Sequence, residues 1–120
     1  MIVAAVLVGL VALAHVILLL TETLLWTSPG NRQSRGMTSG FARDSKPLAA
    51  SSGLHNGFLA AGLVWGLVYP SASVGYQIQT FFLVCALIAA IYGIWNGRRS
   101  FDYIRGAAAA AAWIAVLSVW

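Results

Sequence analysis

His15, Glu22 and Trp26 stand out because each could do chemistry and because of how they are spaced. They interrupt an otherwise apolar run, IVAAVLVGLVALAHVILLLTETLLW, which extends from Ile2 to Trp26. His15 and Glu22 are seven residues apart and Trp26 follows Glu22 by four. At about 3.6 residues per turn the three fall on one stripe of a helix. An ionisable side chain inside an apolar membrane helix is costly, so it faces a protein interior or a wet cavity. A carboxyl group and an imidazole held out of bulk water can give and take protons near neutrality.

Two later segments bring polar groups to the same depth. Glu22 lies about five residues, roughly 7 Å, from the end of its helix. In the next apolar segment, which returns from that side, His55 and Asn56 fall at a similar level, and in the third segment Tyr92 does. This predicts a polar layer of Glu22, His55, Asn56 and Tyr92, with His15 at its deep end and Trp26 at its rim. Glu22 is the expected general acid or base, and His15 or His55 its proton partner. Asn56 and Tyr92 would orient a substrate, and the ring face of Trp26 would steady a developing carbocation. The competing reading has Asn56 or Thr23 satisfying Glu22 merely to fix helix packing, a role worth only about 0.6 kcal/mol between membrane helices.

The elements that must position these residues follow from composition. The chain has 120 residues, 60% of them hydrophobic and 8% charged, and its mean hydropathy is +0.83. Soluble domains carry about 25% charged residues, so this composition cannot clothe a water-facing surface. The pattern predicts an all-α, integral membrane four-helix bundle in a single domain over residues 1–120, with helices over about 2–26, 48–69, 76–96 and 103–120. The first apolar run lacks a basic leader and exceeds the usual signal-peptide core, so it reads as a retained helix. Residues 27–47 read as a polar loop, because Pro29 and Gly30 end one helix and Pro47 precedes the next. Gln77 and Gln79 begin the third helix at the expected interface.

The formal net charge of +4 is small, and the cations gather in two segments. Arg32, Arg35, Arg43 and Lys46 follow the first helix, and Arg98 and Arg99 follow the third, with Arg105 close behind. The turn after the second helix holds no Lys or Arg. The positive-inside rule then places both basic loops in the cytoplasm and both termini outside a bacterial inner membrane. This distribution reads as membrane orientation and gives no footprint for nucleic acid. Gly53 with Gly57, Gly62 with Gly66, and Gly93 with Gly97 form small-xxx-small pairs that let helices approach closely. Four short helices enclose little volume, which favours a homo-oligomer.

No cofactor is expected, and no metal. His15 and Glu22 lie about 10 Å apart along one helix, and no HExxH or ExxH spacing occurs. Cys85, the lone cysteine, reads as a packing residue. Phosphate loops, nucleophile elbows and CxxC pairs do not occur in the sequence.

The stretches VGLVALAHVILLLTETLLW, LAASSGLHNGFLAAGLVWGL and FFLVCALIAAIYG together resemble the small bacterial membrane proteins grouped as "domain of unknown function 1304". The most specific parts are His15, Glu22 and Trp26, and the run from Gly53 to Leu63. The resemblance implies a protein of similar length with four transmembrane helices. Members usually have Asn-Gln where this chain has Ser51-Ser52, and often Tyr where it has His55, which implies an altered ligand or activity, or the loss of one.

The leading expectation is an intramembrane acid–base site that isomerises or cyclises a lipophilic substrate, isoprenoid or sterol-like. By analogy it is similar to the Glu-His-Trp arrangement of the emopamil-binding sterol isomerases, whose helix number differs. The alternatives are a small proton-coupled transporter or channel and a non-catalytic membrane scaffold. The expected partner is membrane lipid or a lipophilic small molecule.

Overall fold

The computed structural model describes residues 2–97 and 100–120. The described residues form five helices and no strand: α1 (Ile2–Thr23), α2 (Pro29–Arg35), α3 (Ser39–Val68), α4 (Ala72–Gly97) and α5 (Ser100–Val119). The all-α expectation holds, but the count of four does not. The additional helix is α2, inside the segment expected to be a loop. Ser28 caps it, its Oγ accepting from Asn31 N at 3.3 Å, and Pro29 occupies the first turn, where a missing N–H costs nothing. Gly36 ends it at φ 65°. There Met37 N reaches Arg32 O at 2.9 Å and Gly36 N reaches Gln33 O at 3.3 Å, the pair of bonds of a Schellman stop.

Three expected boundaries move. α1 stops at Thr23 rather than Trp26, so Trp26 leaves the helical stripe that carries His15 and Glu22. α3 begins nine residues before Leu48, because Thr38 caps it through Phe41 N at 3.1 Å. Pro47 sits inside α3. Its missing N–H leaves the Arg43 carbonyl without a helical partner, but Arg43 and Pro47 are both exposed. The turn between α3 and α4 shortens, since Ser71 caps α4 through Val74 N at 3.5 Å.

The chain divides into two compact units: Met1–Leu13 with Leu59–Trp120, and Ala14–Phe58. α1 and α3 each contribute to both. In the first unit, Ala4, Val8, Val11 and Ala12 of α1 form one core with Leu63 of α3, Leu83 of α4, and Ala112 and Val116 of α5. Glycines set the helix separations. A Cβ added at Gly62 would run into the Phe82 ring, and one at Gly66 would meet Gln79 Cγ at 2.7 Å and Gly75 O at 3.0 Å. Gly106 of α5 lies over Ala90 of α4.

In the second unit, Trp26, Ala42 and Ala49 form a small core that Met37 flanks. Gly53 would drive a Cβ to 2.9 Å from Thr23 Cγ2 and 3.1 Å from Glu22 Cβ, and Gly57 would meet Leu19 Cδ2 at 3.1 Å. The expected close approach at Gly53–Gly57 and Gly62–Gly66 is therefore present. The third pair ends at Gly97, whose surroundings lie outside the described residues.

Two helices, Ile2–Thr23 and Ala72–Trp95, are long and apolar enough to cross a membrane. The distribution of side-chain size points the same way. Buried hydrophobic positions are mostly alanine and valine, whereas Leu10, Ile17, Phe58, Phe81, Ile88 and Ile114 are all more than half exposed.

Candidate functional site

The second unit holds the polar side chains that could do chemistry together. The backbone of α1 meets α3 at Gly53, and one helical turn on, Asn56 faces the end of α1. Asn56 Nδ2 donates to Glu22 Oε1 at 2.6 Å. Asn56 is buried at 6% exposure, while Glu22 is half-buried. The bond joins α3 to the last turn of α1. Glu22 Oε2 accepts no hydrogen bond from the described residues. Thr23, proposed as the other partner for Glu22, instead donates its hydroxyl to Leu19 O within its own helix. The arrangement fixes one carboxyl oxygen and leaves the second available to a reacting group.

The other candidates lie apart from this pair. His15 is fully buried, on the same face of α1 as Glu22 but about 10 Å away along the axis. His55 is exposed and its Nδ1 pairs with Ser51 O at 2.8 Å, with its ring edge against Phe58. Successive helical residues diverge by about 100°, so Asn56 can face Glu22 only if His55 turns elsewhere. Tyr92 belongs to the other unit and is 69% exposed. Within its unit the structure thus brings Glu22 and Asn56 together and does not add His55 to them.

Trp26 is buried, and its groups are already engaged. Its Nε1 donates to Ser45 Oγ at 3.0 Å, and its carbonyl accepts from Asn31 Nδ2 at 2.8 Å. The Arg35 guanidinium stands 4.9 Å from the ring centroid, a cation–π contact. Arg35 Nε in turn donates to Asn31 Oδ1 at 3.0 Å. A cation already covers part of the ring expected to face a carbocation.

Ser45, Asn31 and Arg35 were not singled out from sequence, because residues 27–47 read as loop. Thr38 as a helix cap and the seven-residue spacing of Ala42 and Ala49 were the signals present. Gln79, expected at the start of the third helix, is buried at 4% exposure and donates Nε2 to Gly66 O at 3.1 Å. Among the described residues no group of three or more His, Cys, Asp and Glu is placed to hold a metal.

These features define a class: a small helical protein with an alanine-rich interior, large apolar side chains exposed and, among the described residues, an acid–amide pair between helices. Within it, the chain belongs to the family described as protein of unknown function (DUF1304), whose model matches residues 9–117. That span contains His15, Glu22, Trp26, His55, Asn56 and Tyr92. No curated protein and no solved structure matches the chain.

Proposed function

We propose that this chain is a small multi-pass membrane protein whose Glu22, held by Asn56, is the acid–base group of a site for a lipophilic substrate. The substrate class is isoprenoid or sterol-like, and the reaction is isomerisation or cyclisation. The Asn56–Glu22 hydrogen bond carries this reading: it orients a half-buried carboxyl group through Oε1 and leaves Oε2 for substrate. The large apolar side chains exposed on α1, α3, α4 and α5 support the membrane setting, since a surface of that kind is at home in lipid.

In this reading four helices cross the bilayer. α2, about 10 Å long, is too short to cross. The thirty residues of α3 extend about 45 Å, more than the roughly 30 Å of hydrocarbon. Its first turns, with Arg43, Asp44 and Lys46, therefore stand outside. Arg32 and Arg35 lie on α2 nearby in sequence, and the positive-inside rule puts this basic segment in the cytoplasm. Arg98 and Arg99, which share that assignment, lie outside the described residues.

Glu22 can run both halves of an isomerisation. The carboxylate removes a proton from one carbon, the double bond shifts, and the same group returns a proton to another carbon, so no atom is gained or lost. In a cyclisation the acid form protonates an alkene and the carboxylate takes a proton from the final cation. His15 is too distant along α1 for direct proton transfer to Glu22, which needs contact of about 3 Å or one bridging water.

A second reading has its own observation. Gly53 and Gly57 seat α1 closely on α3, and the Glu22–Asn56 bond could serve only to lock that crossing. Mass spectrometry of small molecules extracted from gently purified wild type and Glu22→Gln separates the two. A discrete lipophile enriched in wild type and changed in the variant is expected. Bulk phospholipid alone, identical in both, would leave only the structural role.

A further inference from the structure

A cavity of about 350 Å³ lies within the first unit, at the turn between α3 and α4. Its apolar wall includes Ile2 and Ala5 of α1 and Leu67 of α3; its polar lining is Tyr69, Tyr76 and Gln79. The Gln79 amide is oriented by its bond to Gly66 O, because a carbonyl can only accept. Its Oε1 accepts no hydrogen bond from the described residues, although Gln79 is 96% buried (4% exposed). The hydroxyls of Tyr69 and Tyr76 make none with the described residues either. That oxygen is therefore an acceptor open to whatever occupies the cavity. Among the described residues no Asp, Glu, Lys or Arg lines the cavity, which suits a neutral head better than an ionised one. The volume falls in the lower part of the usual range for ligand pockets, about 300–1,000 Å³.

We propose that this cavity binds a neutral lipophile with a hydroxyl head. The hydroxyl donates to Gln79 Oε1 and accepts from a tyrosine hydroxyl, and the apolar body lies along Ile2, Ala5 and Leu67. The site shares no residue with the Glu22–Asn56 pair and stands or falls apart from it.

Photolabelling the full chain in a non-ionic detergent tests the site. The probes are a diazirine-bearing fatty alcohol, the matched fatty acid and the matched alkane, with labelled peptides mapped by mass spectrometry. The alcohol should label the segment around Leu67–Gln79 in preference to the acid and the alkane. Ala5→Trp, which fills the cavity from an exposed position, should cut that labelling about tenfold. Gln79→Leu should reduce the alcohol's labelling to that of the alkane. Equal labelling by all three probes, or alcohol labelling unchanged in folded Ala5→Trp, would overturn the site. Glu22→Gln should label as wild type does, which separates this outcome from any failure at Glu22.

Discussion

The two compact units hold their helices together by different means. In Ala14–Phe58, polar side chains reach from one element to another: Asn56 to Glu22, Trp26 to Ser45, and Asn31 to the Trp26 carbonyl. In Met1–Leu13 with Leu59–Trp120, contact comes from small residues. Gly62, Gly66, Gly75 and Gly106 stand close to neighbouring helices or turns, and Ala86 and Ala90 of α4 and Ala109 and Ala112 of α5 are fully buried. Apolar side chains give helices little reason to associate in lipid, so close backbone approach and interhelical hydrogen bonds are the two available solutions. Both units use both, with Gly53 and Gly57 in one and the Gln79–Gly66 bond in the other, but side-chain bonds between elements are more prominent in Ala14–Phe58. That unit is also the one that positions a carboxyl group.

That contrast can be broken most severely at Trp26. Trp26→Ala removes the ring that Ala42 and Ala49 pack on, the bond to Ser45 and the Arg35 contact, and should cost about 3 kcal/mol. The loss should be local: limited proteolysis should cut residues 24–49 while leaving the Leu59–Trp120 part intact. Gly66→Ala strikes the other mode. The added methyl meets Gly75 backbone as well as Gln79, and overpacking of this kind should cost about 2 kcal/mol in thermal unfolding. Asn56→Ala tests the polar clasp and should cost about 1 kcal/mol by the same measurement, near the upper part of the range for such bonds. His55→Ala, at an exposed position bonded only to its own helix, should stay within about 0.5 kcal/mol of wild type. A large effect at His55 would mean that the polar layer extends beyond the Glu22–Asn56 pair.

Much of the helical architecture could be read from the residues. The apolar runs gave α1 and α4, and the glycine spacing in α3 marked where close helix contacts form. Glu22 and Asn56 were both chosen as candidates, and their pairing was one of the options considered. What escaped was the organisation of residues 27–47. Pro29, Gly30 and Pro47 argued for a break, yet Pro29 starts a helix and Pro47 is tolerated where the chain is exposed. The error carried Trp26 with it: a residue expected on the stripe beside Glu22 sits beyond the end of α1, turned to Ser45 and Arg35. Gln79 escaped for another reason. Its distance from the chain turn gives its level along the helix, and only the close approach of Gly66 and Gly75 shows that its side chain is buried.

On the proposed function, Glu22 moves protons on carbon. Purified protein in D₂O, presented with the total lipid extract of the cells that express it, tests this directly. Wild type should introduce deuterium at carbon into one lipophilic compound, and Glu22→Gln should not. Absence of carbon-bound deuterium in every lipid, with wild type folded and Glu22 still paired to Asn56, would contradict it and leave the pair as a clasp between α1 and α3.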